Sequence, residues 1–270
     1  MPELALRAPS GRGAGVEPDA ITRAVRVEPV MGTVVSIDVR DPGEWSAAMD
    51  GVVAWFHRVD AVFSTFRPDS QISRLGGGEI GEAECDADVR EVLALCAEVA
   101  ATSRGCFDIR AGGRLDPSAL VKGWSVERAA AMLRRAGARH FFIAAGGDVV
   151  AAGGAAPGRP WRVGIRHPER GDRVAAVLAV RDLAVATSGA YERGAHIIDP
   201  RSGLPANGEL LSMTVTGPSL TYADALATAA FVMGEAGAAW VPERRGYDAF
   251  AVTRDRRGVW TPGLDAVLVR

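Results

Sequence analysis

Apolar residues recur along this chain with two different periods. From Ala24 to Val39 the β-branched residues alternate as in two strands folded back near Gly32. In the stretch 45–66 the set Val52, Val53, Phe56, Val59, Val62 and Phe63 returns at helical spacing, until Arg67-Pro68-Asp69-Ser70 stops it. A second amphipathic helix is predicted over 88–103, with Val89, Val92, Leu93, Cys96 and Val99 on its buried stripe, which makes Cys96 a core residue. A third runs from about Ser125 to Ala136 and ends at Gly137.

The second half is richer in strands. Residues 141–145 and 148–151 flank Gly146-Gly147, which is either a tight turn or a place where backbone approaches a ligand. Further strands fit 161–165, 174–180, 183–187 and 211–215; a last long helix covers 222–233 up to Gly234, and the tail 247–270 reads as a terminal hairpin. Helices and short strands follow one another without regular βα alternation, so the pattern predicts an α+β fold rather than a doubly wound sheet. No G-x-G-x-x-G opens a helix after a strand and no G-x-x-x-x-G-K-[ST] occurs, which argues against Rossmann and P-loop sites.

Composition narrows the class. The 270 residues are 48% hydrophobic with a formal net charge of −2, and neither a basic surplus nor a basic stripe is present for a nucleic-acid backbone. Cys85, Cys96 and Cys106 are an odd number without C-x-x-C spacing, so neither a disulfide framework nor a zinc knuckle is indicated and a reduced, cytoplasmic setting is expected. The opening residues lack the apolar core of a signal peptide or lipoprotein signal, and no segment is long enough to span a bilayer. Residues 1–25, rich in Gly, Pro and Ala, are expected to be disordered.

Candidate chemistry lies in a few places. Of the 31 lysines and arginines only Lys122 is lysine, in Asp116-Pro117-Ser118-Ala119-Leu120-Val121-Lys122-Gly123-Trp124. Arginine is a poor stand-in where a compact charge on a thin stem must reach a phosphate, although a lone lysine on a solvated face reads the same way. Asp224 and Thr228 stand four apart, on one face of the last helix. Such oxygens suit a hard cation like Mg²⁺; the commoner alternative is a capping aspartate and a threonine bonded to its own backbone. His196 precedes an apolar pair and a turn, where it could serve as a base at neutral pH or pack as a core histidine. His57, His140 and His167 show no partner pattern and receive no role.

Met31-Gly32-Thr33, Phe63-Ser64-Thr65-Phe66-Arg67-Pro68-Asp69-Ser70, Asp116 through Trp124, Gly146-Gly147-Asp148, Trp161-Arg162-Val163-Gly164-Ile165, Thr187-Ser188-Gly189, His196-Ile197-Ile198-Asp199-Pro200 and Ala223 to Thr228 occur in the order seen in the FAD:protein FMN transferases. Over residues 27–240 the chain resembles this family, the ApbE family. The resemblance implies an ApbE-like, T-fold-related architecture of mixed, mainly antiparallel sheets with helices against them, over 26–270 as a single domain of two intertwined α+β halves. It implies a Mg²⁺-dependent enzyme that takes FAD as substrate, links the FMN half by a phosphoester to a threonine or serine of an acceptor flavoprotein, and releases AMP. Carried over by position, Asp224, Thr228 and the main-chain carbonyl of Ala119 would hold the metal. Asp116 and Lys122 would hold FAD, with Met31, Phe66, Cys106, Phe107, Asp108 and Ile197 lining its pocket. His196 would be the base for the incoming hydroxyl, and Asp224 would be catalytic through the metal.

The chain departs from the family pattern in several respects. Ala111-Gly112-Gly113-Arg114-Leu115 joins the 107–109 segment directly to the lysine segment where many members carry a long stretch, so the flavin end of the pocket is expected to be more open. Phe66 stands where tyrosine is common; it can stack but cannot donate a hydrogen bond. The stretch from Tyr191 to His196 is short, and the export or lipoprotein signal of many members is not seen. Two other readings use the same residues: a Mg²⁺-dependent FAD pyrophosphatase, with water in place of the acceptor, and a flavin-binding protein without turnover.

Overall fold

The computed structural model describes residues 23–189, 196–206 and 208–269. The leading segment up to residue 22 and the short stretch between Tyr191 and His196 lie outside the described residues. The fold is α+β. Eight strands form one antiparallel sheet in the order β1-β2-β3-β4-β7-β10-β11-β12. They are β1 Ala24–Val30, β2 Thr33–Val39, β3 Phe141–Ala145, β4 Asp148–Ala152, β7 Leu183–Gly189, β10 Leu210–Gly217, β11 Asp248–Thr253 and β12 Gly258–Trp260. β5 Trp161–Arg166 and β6 Val174–Val180 make a separate hairpin, and β8 Ile198–Asp199 pairs with β9 Leu204–Pro205. Ala24 and Val25 open β1, as the alternation from Ala24 predicts, and do not belong with the leading segment 1–25 that composition suggests.

Helices cover one face of the sheet and the β5–β6 hairpin covers the other. α1 Ser46–Phe63, α3 Ala87–Thr102, α4 Ser118–Arg135 and α5 Leu220–Met233 bury Phe56, Val92, Leu133 and Leu226 against Val35, Ile37, Ile143 and Met213. On the opposite face Trp161, Val163, Leu178 and Val180 meet Phe142, Val149 and Phe250, closed by Leu264 of the short 3₁₀ turn Pro262–Ala266. β3 and β4 lie between these two cores, and every residue in both is buried. A strand covered on both sides must read as a continuous apolar run, as 141–145 does.

The two hairpin turns that the glycines predicted are present at the same end of the sheet. Met31 (φ 54°) and Gly32 (φ 66°) join β1 to β2; Gly146 (φ 55°) and Gly147 (φ 98°) join β3 to β4. Two successive left-handed residues give the turn whose twist matches antiparallel strands. The third predicted helix required correction, since it begins at Ser118, not near Ser125, and the lysine segment is its first two turns. Asp116 Oδ1 accepts the Ser118 N–H at 3.1 Å, and Pro117, with no N–H to leave unpaired, stands at the helix entrance. The first helix stops at Phe63, three residues short of the predicted limit, and the short helices α2 Gln71–Gly76 and α6 Glu235–Trp240 were not predicted.

α4 and α5 cross where Gly123 faces Asp224. A Cβ on Gly123 would press into the Leu220 carbonyl oxygen and lie 2.9 Å from Asp224 Cβ. The missing side chain therefore lets the helices approach and sets Lys122, one residue earlier, beside Asp224.

Candidate active site

A cleft of about 2740 Å³ opens at the end of the sheet that carries the two hairpin turns and runs along β1, β2 and the β5–β6 hairpin as far as Arg40 and Trp161. Met31 comes to it on the β1–β2 turn; Cys106, Phe107 and Asp108 come on the loop after α3; Asp116, Ala119 and Lys122 come on the entrance of α4; Asp224 and Thr228 come on α5. Phe66, His196 and Ile197 complete the set, so every site residue expected from the sequence lines this one cavity.

Its floor is a charge cluster. Lys122 Nζ lies 2.8 Å from Asp148 Oδ2 and 3.7 Å from Asp224 Oδ1. Asp224 Oδ2 accepts the Gly123 N–H at 2.9 Å, which fixes the carboxylate across the helix crossing and accounts for the other oxygen facing the lysine. Asp148 is wholly buried; its Oδ1 accepts the Thr187 N–H at 3.1 Å, just beyond the last paired residues of β4 and β7. Asp148 Oδ2 meets the Lys122 ammonium as an ion pair. Burial pushes the Asp148 carboxyl above the ordinary carboxylate range, against the nearby ammonium, which draws it down. Thr228 Oγ1 pairs with Ser188 Oγ at 3.1 Å, in place of the backbone bond that an isolated helical threonine would make. Asp224 stands in the second turn of α5 and bonds to α4, so it does not cap its own helix.

The remaining residues differ in what they offer. Phe66 is 85% exposed, with the Arg114 guanidinium 5.3 Å from its ring centroid, and presents an aromatic face at the rim. Asp116 caps the entrance of α4 with one oxygen and has Arg114 3.6 Å from the other. Asp108 Oδ1 accepts the Arg110 N–H. Cys106, Phe107 and Ile197 are buried and give shape to the wall; burial raises the Cys106 thiol, while Arg201 pulls it down. His196 is exposed at the mouth.

The donor chemistry at the floor fits a hard cation. Two carboxylates face one ammonium, which leaves an excess of negative charge in a largely buried place, and the neighbouring hydroxyls of Thr228 and Ser188 are oxygen donors too. Among the described residues no group of three or more His, Cys, Asp or Glu side chains is disposed to hold a metal, so a cation here would depend on water, main chain or substrate for its other ligands. Asp148, Ser188 and Gly123 received no role from the sequence. Asp148 did leave a signal, as the sole charged residue in the apolar run 141–152.

Sheet, helices and cleft together define an α+β protein with the fold of solved flavin transferases. It superposes on the flavin transferase ApbE from Vibrio cholerae with a TM-score of 0.80 at 22% identity, covering 91% of this chain and 99% of that one. On the ApbE protein of Thermotoga maritima the TM-score is 0.82 at 22% identity, covering 92% and 100%. The chain belongs to the ApbE family, whose sequence profile matches residues 31–113 and 110–251. Among curated relatives, the FAD:protein FMN transferase of Treponema pallidum is 46% identical over 113 residues, 38% of this chain and 31% of that protein. The Haemophilus influenzae FAD:protein FMN transferase is 31% identical over 162 residues, 56% of this chain and 47% of that protein. The alignments thus span 31% and 47% of these relatives, less than half of each. No helix among the described residues is long and apolar enough to cross a membrane.

Proposed function

We propose that this chain is a Mg²⁺-dependent FAD:protein FMN transferase. The observation that carries the reading is the Lys122 ammonium between the Asp148 and Asp224 carboxylates, at the floor of a cleft large enough for a dinucleotide. Phosphoryl transfer asks a protein mainly for placement and neutralisation of charge. Lys122 supplies a cation to the pyrophosphate of FAD. Phe66 and Met31 offer apolar surface to the flavin end, and Phe107 and Ile197 shape the wall between. Asp224, Thr228 and the Ala119 carbonyl would hold Mg²⁺, which when bound offsets charge on the phosphate oxygens as the bridging bond breaks.

The acceptor is a threonine or serine of a flavoprotein. Its hydroxyl oxygen forms a bond to the phosphorus of the FMN half, the bond from that phosphorus to the bridging oxygen breaks, and AMP leaves with that oxygen. The hydroxyl proton goes to His196, whose exposed position at the mouth suits a base that must meet a side chain arriving from another protein.

Incubation with FAD, Mg²⁺ and a threonine-bearing peptide from a flavoprotein tests the reading by mass spectrometry. FMN mass on the peptide with equimolar AMP is the expected result. AMP with free FMN alone would replace the transferase by a pyrophosphatase, and unchanged FAD would leave a flavin-binding protein.

A further inference from the structure

We infer that Asp148 is a positioning residue for Lys122, holding its ammonium at the floor of the cleft beside Asp224. The inference rests on the phosphate-binding role proposed for Lys122. Asp148 contributes two oxygens with separate tasks: Oδ1 takes the Thr187 N–H that the β4–β7 ladder leaves over, and Oδ2 faces Lys122 Nζ at 2.8 Å. An asparagine could perform the first task without charge. A carboxylate wholly removed from water is costly unless a cation answers it, and Lys122 is that cation.

The path of the lysine points the same way. Its side chain is 21% exposed and passes the β3–β4 turn, where a Cβ on Gly146 would lie 3.8 Å from Lys122 Cδ and 3.0 Å from Thr33 Oγ1. The turn that leaves room for the stem also delivers Asp148, two residues on, to its tip. Asp224 stands farther from Nζ, at 3.7 Å, with its other oxygen committed to the Gly123 N–H. Asp148 is therefore the nearer anchor of the two carboxylates.

Because Lys122 is the only lysine, one ε-ammonium signal in a ¹⁵N-lysine NMR spectrum reports on it alone. The wild type is expected to show this signal with slow proton exchange, and Asp148→Asn to lose it. Asp148→Asn is also expected to lower kcat/KM for FAD roughly 10²-fold, the scale of a misplaced group. In a Lys122→Met background the same substitution should change kcat/KM less than about twofold, since residues acting as one unit are not additive. Equal penalties in both backgrounds, or an ammonium signal that survives Asp148→Asn, would overturn the inference. Should Asp148→Asn alone fail to fold, the double variant is expected to fold, because the ammonium deprived of its partner is gone; a double variant equally unstable would also overturn it. If the wild type splits no FAD, the transferase reading falls, and the NMR comparison still decides whether Asp148 holds Lys122.

Discussion

Removing the Asp224 carboxylate does two things at once, and two substitutions separate them. Asp224→Ala strips the cleft of an oxygen ligand and removes the hydrogen bond that the carboxylate takes from the buried Gly123 N–H, a loss of about 1–3 kcal/mol of stability in urea titration along with Mg²⁺-dependent AMP release. Asp224→Asn can still accept that N–H; it should recover most of the stability and little of the activity. Lys122→Arg keeps the charge but brings a broad planar fork into a passage bounded by Gly146, and a raised KM for FAD is expected in steady-state kinetics. The thiols give an independent check on burial. Desolvation lifts Cys96 to about 12, and with Cys85 and Cys106 also buried, iodoacetamide at pH 8 should label the native protein slowly and the urea-unfolded protein quickly, as mass spectrometry would record. Rarity and helical spacing, which are local properties, singled out Lys122, Asp224 and Thr228 in the sequence, and the family resemblance supplied their expected roles. Asp148 stood out only as a charge in an apolar run, since its meaning depends on a lysine 26 residues away in sequence that only the α4–sheet contact brings to 2.8 Å.

Secondary structure places these groups through two elements, α4 and α5, and Gly123 is where they meet. Replacing a helical glycine by alanine ordinarily gains about 1 kcal/mol of helix propensity. Here the new methyl would meet the Leu220 carbonyl and Asp224 Cβ, and overpacking of about 1–3 kcal/mol is the larger effect. Gly123→Ala is therefore expected to lower Tm in calorimetry and, by moving Asp224 from Lys122, to weaken FAD binding in fluorescence titration. Amphipathic periodicity located α1 and α3 to within a few residues because each keeps one apolar face on the core, whereas α5, buried on nearly every side, showed as an apolar run stopped by Gly234. Periodicity missed the entrance of α4, because Gly123 and Lys122 interrupt the stripe there for the sake of the site. Asp116-Pro117-Ser118 was the readable start signal.

At the scale of the molecule, two cores share one sheet. Trp161 anchors the smaller one, packing edge-on to Phe142 at 5.2 Å and donating its indole N–H to the Ala152 carbonyl. Trp161→Ala should cost about 3–5 kcal/mol in denaturant titration, falling on the hairpin side of the sheet. The strands of β5 and β6 could be read from alternation, but not that they pair with each other outside the main sheet, because strand order is set by contacts distant in sequence. The sheet has a working end, where Met31-Gly32 and Gly146-Gly147 turn beneath the cleft, and an opposite end, where β4 passes to β5 and β6 turns into β7. A chain built this way has no slack at its working end: a single residue added between Gly146 and Asp148 would turn the carboxylate away from the lysine.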